Sequence, residues 1–271
     1  MYHYNVHNST DLMRLLPPVL RARDFHLYLE GGRRLTDLWQ LGGKAILGHK
    51  PSRLIKELKN TAERGLFAPF PHHNEKRFLK ALARLFPLPD LSFRIYASHA
   101  ALESALENAG FSGRVEIWRP FLEKTEALEK TKVLEKTKPK LFVPVLPWVF
   151  CPEVLVLDKS LEDKFPPGDL LSPFILAPAT RSIYDLIAAG DNGGRPSYPR
   201  IRKALSNGKN KWKHQGIYIF PANELQSNWK QVWEYFLEKG FLIPPNPREP
   251  LILPGILSKG EETKLASLFE E

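Results

Sequence analysis

Ser98 and His99 stand where a predicted helix over residues 100–109 begins. The free N–H groups of a helix N-terminus attract anions, so this position could bind one weakly. The serine could equally be an ordinary N-cap, because its hydroxyl can accept a hydrogen bond from the first turn. Asp158 ends the apolar run 154–157, where a lone aspartate can also be a loop or cap residue. The residues alone leave both interpretations open at each position.

Other chemical motifs are absent from the sequence. It contains no GxSxG, no P-loop and no GxGxxG. His72 and His73 are adjacent, but no carboxylate or cysteine follows at a metal-ligand spacing, so no metal site is predicted. The single cysteine, Cys151, excludes an intramolecular disulfide and a CxxC motif.

The chain has 271 residues and a net charge of +9, which permits attraction to phosphate without demonstrating it. Basic residues are scattered, with modest clusters at 33–34, 200–203 and 209–213. This distribution favours a solvated basic surface over a nucleic-acid-binding face. No stretch approaches the roughly 18 apolar residues of a membrane span, and the first residues lack a signal-peptide pattern. We therefore expect a cytoplasmic protein with neither a membrane nor a nucleic-acid partner.

The elements that would position these residues alternate between helix and strand. A Gly-Gly turn at residues 31–32 predicts a hairpin. Apolar spacing predicts helices over 51–65, 74–86, 100–109, 174–189 and 229–239, and strands over 93–97, 115–118, 141–146, 154–158 and 251–253. Ser258 and Glu261 indicate a capping box that opens a last helix. This alternation predicts an α/β fold.

Residues 122–140 consist of three imperfect hexamers that begin with leucine: LEKTEA, LEKTKV and LEKTKP. On a helix of about 100° per residue a six-residue period spreads those leucines around the cylinder, so they form no stripe that could be buried. The glutamates and lysines nearly cancel in charge. We interpret the segment as a solvated spacer between two core strands.

The segment RARDFHLYLEGGRRLTDLWQLGGKAILGHKPSRLIKEL resembles the N-terminal part of class III aminotransferases, which are fold type I enzymes that depend on pyridoxal phosphate (PLP). In that family a short hairpin leads into a G-x-x-x-L-G-H-x-x-P motif and a helix. The order and spacing match over about residues 21–87. Near the other end, GFLIPPNPREPLILPGILSKGEETKLASLF is similar to the end of the family's small domain. That similarity places Arg248 near a position that often binds a substrate carboxylate, although it could equally be a surface arginine.

The middle of the chain departs from the family pattern. The stretch ASHAALESAL, residues 97–106, stands where the family has its phosphate-binding S-G-S/T-E-A motif, so the resemblance implies cofactor contacts for Ser98 and His99. Asp158 would match the aspartate that holds the pyridinium N–H. No lysine stands in register for a Schiff base, since Lys159 and Lys164 follow Asp158 too closely. The spacer 122–140 stands in place of catalytic segments.

The resemblance implies a reduced fold type I sheet with a small α+β domain made from both chain ends. The predicted parts are an N-terminal segment 1–87, a reduced large domain 88–190 that contains the spacer 122–140, and a C-terminal small domain 191–271. We expect a degenerate member without ordinary transamination and without cofactor, or with PLP if any, that acts as a homodimer or pairs with a full-length aminotransferase subunit. Two alternatives stay open: a residual PLP enzyme that uses Asp158 with Lys159 or Lys164, and a basic nucleic-acid-binding protein. Whether the chain is an enzyme is left undecided.

Overall fold

The structure is a computed structural model that describes residues 11–111, 115–122, 141–191, 197–207 and 211–271. The predicted spacer lies outside the described residues, apart from Leu122. In chain order the strands are β1 (Val19–Arg23), β2 (His26–Leu29), β3 (Arg34–Asp37), β4 (Leu91–Tyr96), β5 (Glu116–Trp118), β6 (Leu141–Pro144), β7 (Glu153–Asp158), β8 (Trp212–Gln215), β9 (Tyr218–Pro221), β10 (Phe241–Leu242) and β11 (Leu251–Ile252). The helices are α1 (Ser52–Glu63), α2 (His73–Leu85), α3 (His99–Asn108), α4 (Pro173–Asp191), α5 (Pro199–Asn207), α6 (Asn223–Ser227), α7 (Trp229–Glu238) and α8 (Lys259–Glu270). The predicted helix and strand alternation is therefore confirmed.

The described residues fall into two compact units, each with its own sheet system. The first unit contains residues 51–111, 115–120 and 141–191. The second contains residues 11–50, 121–122, 197–207 and 211–271, so it is built from segments near both ends of the chain. No helix within these described ranges is long and apolar enough to cross a membrane.

The first unit is a four-stranded sheet of order β4-β7-β6-β5. The strand β7 runs antiparallel to both neighbours, whereas β5 and β6 are parallel. Residues of β7 are buried on both faces, which explains the uninterrupted apolar run 154–157. On one face α1 and α2 flank α4, and on the other face α3 covers the sheet.

The helices of residues 51–87 lie in this first unit, although the sequence predicts them in the small domain with residues 191–271. Leu54 of α1 and Phe78 and Leu82 of α2 enter the same apolar cluster as Val154 of β7 and Leu176 of α4. Their amphipathic stripes need an apolar partner surface, and here that surface is α4 and the sheet. The domain assignment for residues 51–87 is corrected accordingly.

The second unit holds a four-stranded sheet of order β1-β2-β3-β10 and a three-stranded sheet of order β11-β9-β8. The predicted hairpin is formed by β2 and β3, and Gly31 and Gly32 take the positive φ that the turn requires. Trp229, Trp233 and Phe236 of α7 are buried, and so is Trp212 of β8. Ser258 and Glu261 form the predicted capping box at the start of α8.

Candidate functional site

Ser98 caps α3. Its hydroxyl accepts a hydrogen bond from the Ala101 N–H at 3.2 Å, and its extended backbone ends the approach from β4. The N-cap alternative is therefore the one that the structure shows, and the hydroxyl is already engaged within its own helix. His99 is half-exposed on the first turn and lies 3.4 Å from Glu103, one turn further on.

A carboxylate already lies beside this helix N-terminus. Asp169 accepts a hydrogen bond from the Ala97 N–H through Oδ2 at 2.8 Å, and its own N–H donates to the carbonyl of Ile95 at 2.7 Å. Gly168 precedes it at a close approach, because a Cβ atom there would lie 2.7 Å from the carbonyl oxygen of Ile95. The loop is thus fixed against the edge of β4, with a negative charge one residue before Ser98.

Asp158 lies at the opposite end of the same ladder. The register of β4 and β7 pairs Leu91 with Asp158 and Tyr96 with Glu153. Five residues of strand span about 17 Å, and Ser98 is two residues further on. The Asp158 side chain accepts a hydrogen bond from the Ser160 N–H at 2.9 Å, so it caps the 3-10 helix that follows. The structure therefore does not bring Ser98 and Asp158 together.

The two lysines after Asp158 are exposed on that 3-10 helix, Lys159–Lys164. Both stand beyond the Asp158 end of the ladder, away from Ser98. A Schiff-base lysine usually needs desolvation or a nearby cation to become nucleophilic at neutral pH. Within the described ranges, no lysine is among the buried residues.

Arg248 belongs to the second unit and is exposed between β10 and β11. Its backbone N–H donates to Asn246 Oδ1 at 3.0 Å in a local turn. Its guanidinium makes no ion pair with any residue that the structure describes. The surface alternative for Arg248 fits this placement, and a carboxylate-binding role stays a prediction.

The most buried polar cluster is one that sequence reasoning missed. Asp37, at the end of β3, accepts the N–H groups of Trp39 and Gln40 through Oδ1 at 2.8 and 2.9 Å. Its Oδ2 lies 2.7 Å from His49 Nε2, and both side chains are buried or nearly so. The Gly48-His49 motif was visible in the sequence as part of the family resemblance. Nothing in that motif indicated that His49 contacts Asp37, which lies twelve residues earlier.

Residues 40–43, which lie between Asp37 and His49, have left-handed backbone angles. Gln40, Leu41 and Gly42 have φ values of 49°, 52° and 69°, and Gly43 continues the run. Such φ values cost energy for residues other than glycine. The Gln40 amide donates to the carbonyl of Ile252 at 2.9 Å, while its buried Oε1 has no hydrogen-bond partner among the described residues. Two non-glycine residues are thus kept in an uncommon conformation by their surroundings.

A second polar network fixes α8 to the hairpin. Glu261 accepts hydrogen bonds from Ser258 and Thr36, and its Oε1 lies 2.8 Å from His26 Nε2 and 3.2 Å from Arg34. Partial burial would by itself raise the pKa of Glu261, but the hydrogen bonds from Ser258, His26 and Thr36 outweigh it and hold the pKa at about 2. This network is structural, since it completes the cap of α8.

No group of three or more metal-binding side chains occurs within the described part of the chain. His72 and His73 instead stack on each other at 3.9 Å between ring centroids, and His72 Nδ1 accepts the N–H of Asn74 as a helix cap. The His72 imidazole is therefore engaged as the N-cap of α2. The pair lies near the surface, with His73 as the first residue of α2.

Comparison with known proteins supports the fold first. The structure aligns with an ornithine aminotransferase of Plasmodium yoelii with a TM-score of 0.65 and 12% identity, over 97% of this chain and 98% of that one. It also aligns with an acetylornithine aminotransferase of Elizabethkingia anophelis with a TM-score of 0.63 and 12% identity, over 97% and 98%. The chain therefore has the fold of the class III aminotransferases, and the predicted fold class is confirmed.

Sequence comparison adds one relative that matches most of the chain and one enzyme that matches a short part of it. The chain is 24% identical over 293 aligned residues to an uncharacterised protein of Treponema pallidum (strain Nichols), covering 91% of this chain and 92% of that protein. It is 32% identical over 100 residues to the glutamate-1-semialdehyde 2,1-aminomutase of Thermus thermophilus, which covers only 36% of this chain and 24% of that enzyme. No family model matches the chain.

The residues present do not fit PLP in the way the resemblance implies. The Ser98 hydroxyl is used within α3, and Asp169 places a negative charge where the phosphate would approach. Asp158 lies at the far end of the ladder, so one cofactor could not contact both Ser98 and Asp158. Ser98 and Asp158 therefore do not form a single PLP site in this chain.

Proposed function

We propose that this chain is a degenerate protein of aminotransferase fold, without ordinary PLP-dependent transamination, which acts through association with a second copy or with a full-length aminotransferase subunit. The observation that best supports the loss of transamination is the position of the Asp169 carboxylate, which accepts a hydrogen bond from the Ala97 N–H at 2.8 Å. Two like charges at one helix N-terminus repel, so Asp169 opposes a phosphate at this position. The chain would work in the cytoplasm, which is a prediction.

A direct test is the absorbance spectrum of the full chain purified with added PLP, before and after borohydride reduction, followed by intact mass. We expect no aldimine band and no covalent adduct. A reducible band with a matching mass increase would overturn the proposal. Loss of that adduct in the double variant Lys159→Gln, Lys164→Gln would then locate the Schiff base on one of these two lysines, as the residual-enzyme alternative requires.

Association is supported by apolar side chains that the first unit leaves in water. Phe150 is 65% exposed, and Val149 and Leu170 are also among its exposed large hydrophobic residues. The Phe150 ring packs edge-on against Trp148, whose own side chain is in the core. Exposed apolar residues supported by a rigid core are typical of protein interfaces.

Sedimentation velocity of the purified chain tests the second-copy form of this proposal. We expect a dimer at micromolar concentration and a shift towards monomer for Phe150→Ser. Phe67→Ser is the matched control, because it changes another exposed phenylalanine of the same unit. If the chain is a monomer and also fails to bind a purified full-length aminotransferase from its own source, the association proposal is wrong.

A further inference from the structure

The helices on one side of the first-unit sheet are strongly basic. We call α1, α2 and α4, with the loop 64–72, the helical layer. Its basic side chains outnumber its acidic ones: Arg53, Lys56, Lys59, Arg64, Lys76, Arg77, Lys80, Arg84 and Arg181 against Glu57, Glu63, Glu75, Asp185 and Asp191. The other described residues of the first unit have the reverse balance. Positive charge is therefore concentrated on this side of the unit.

Most of this charge is not neutralised. Arg53 and Arg181 share Asp185, and Arg84 lies over the Tyr184 ring at 5.9 Å. The remaining six basic side chains of the layer make no ion pair within the described ranges, and all six are exposed: Lys56, Lys59, Arg64, Lys76, Arg77 and Lys80. Their charge is available to an anionic partner.

The basic clusters that stand out in the sequence behave differently. Arg33 donates to the carbonyls of Leu237 and Glu238 at the end of α7, and Arg34 pairs with Glu261. Arg200 donates to Thr263 on α8. These cations are used to hold the second unit together, because each meets a carbonyl, hydroxyl or carboxylate of its own unit. Arg202, Lys203 and Lys213 of the same clusters are exposed, so the sequence expectation of a solvated basic surface still applies to them.

Two exposed aromatic rings lie in the loop that joins the helices that carry the free cations. Phe67 and Phe70 are 58% and 52% exposed in the loop that joins α1 to α2. Phe67 also contacts the Phe174 ring at 5.2 Å, which fixes its position. Burial, the neighbouring His73, and the positive charges of Arg64 and Arg77 lower the pKa of His72, so these charges converge beside the loop.

From this juxtaposition we infer that the helical layer binds single-stranded nucleic acid, with the free lysines and arginines on phosphates and Phe67 and Phe70 stacked on bases. Grooves that combine basic side chains with exposed aromatic rings bind single strands with little sequence preference. A second copy is disfavoured on this face, because a two-fold contact would oppose like charges. This function goes beyond the proposed association and does not depend on it.

The extent of the basic surface favours a nucleic-acid strand over a membrane as the partner of the helical layer. At a rise of about 1.5 Å per residue, Lys56 and Lys80 each stand seven residues, roughly 10 Å, along their helices from the ends that adjoin the loop with Phe67 and Phe70. A membrane that received the loop would leave these cations beyond most of its screened potential, which decays over about 8 Å. A nucleic-acid strand that follows the layer would meet cations on both α1 and α2.

The test is fluorescence anisotropy of a labelled 20-nucleotide oligodeoxythymidylate with the full chain, from 50 to 300 mM NaCl. We expect Lys56→Gln, Lys59→Gln, Lys76→Gln and Lys80→Gln together to weaken binding at 100 mM more than about tenfold, and to reduce the log–log salt slope by about 3. The matched control removes four exposed lysines of the second unit: Lys213, Lys230, Lys259 and Lys264. It has the same net charge and should retain most of the affinity.

Phe67→Ala with Phe70→Ala should weaken binding about tenfold at every salt concentration and leave the slope unchanged, because stacking involves no counterions. Three outcomes would overturn the inference. The first is no binding at 50 mM NaCl, and the second is an equal loss in both lysine variants. The third is binding to phosphatidylserine-containing vesicles without binding to the oligonucleotide. All the lysines are exposed, so the lysine variants should fold, which circular dichroism melts would check.

Discussion

At the residue scale, the clearest energetic role belongs to Glu261. Its pKa of about 2 lies below the ordinary value of 4.5, since the hydrogen bonds from Ser258, His26 and Thr36 overcome the effect of burial. A depressed carboxyl pKa contributes stability that is complete above about pH 4.5 and disappears as the pH falls towards 2. We expect Glu261→Gln to lower the free energy of unfolding at pH 7 by about 2–3 kcal/mol.

Urea unfolding between pH 7 and pH 3 measures this effect. The difference between the parent chain and Glu261→Gln should shrink as the pH falls, because protonation removes the same charge in the parent. Glu262→Gln is the control: Glu262 is the next residue on α8, and from the residues that the structure describes its side chain accepts only the backbone N–H of Arg200, at 3.0 Å. A pH-independent difference, or an equal loss in the control, would show that Glu261 does not act as a charge.

At the element scale, the loop that carries Asp169 depends on the absence of a side chain at Gly168. A Cβ there would lie 2.7 Å from the carbonyl oxygen and 2.9 Å from the nitrogen of Ile95, which are backbone atoms and cannot move away alone. We expect Gly168→Ala to lower the free energy of unfolding by about 2 kcal/mol. Gly190→Ala on α4 is the matched control, because its Cβ meets nothing within 4 Å. It should be neutral or stabilising by up to about 1 kcal/mol.

In the left-handed segment after Asp37 we expect a substitution to increase stability, whereas Gly168→Ala decreases it. Leu41 has a φ of 52° and a ψ of 44°, a conformation that asparagine and glycine adopt with less strain. We expect Leu41→Asn to raise the free energy of unfolding by about 0.5–1 kcal/mol. Thermal unfolding would show the increase, and Leu47→Asn nearby, where φ is not positive, should destabilise instead. A loss of stability for Leu41→Asn would mean that the Leu41 side chain contributes more than the strain costs.

Local sequence patterns predicted the helices and strands well, but they did not predict which side chains from different elements come into contact. The stripes of α1, α2 and α7, the capping box of Ser258 and the strand 154–158 follow from spacing alone, because each depends on neighbours within a few residues. The antiparallel register that separates Ser98 from Asp158 depends on pairing between strands some 60 residues apart, which a single sequence does not encode locally. The Asp37–His49 pair and the Asp169–Ala97 contact were missed for the same reason.

At the scale of the whole molecule, the division into two compact units leads to the last prediction. Each has its own sheet and apolar core, and chains with more than one such unit commonly unfold in more than one step. Glu261 lies in the second unit and Gly168 in the first, so their variants should affect different calorimetric transitions. Four of the six tryptophans lie in the second unit, Trp39, Trp212, Trp229 and Trp233, so the larger part of the fluorescence change should report on that unit, whereas Trp118 and Trp148 report on the first.

We therefore expect scanning calorimetry of the full chain to resolve two transitions. Glu261→Gln should lower the transition that coincides with the larger part of the tryptophan fluorescence change, and Gly168→Ala should lower the other. A loss of about 2 kcal/mol would move a unit of this size by roughly 5–10 °C. A single transition that both variants lower equally would contradict independent units. It would mean that the chain folds cooperatively as one body, and that a substitution in either unit changes the stability of the other.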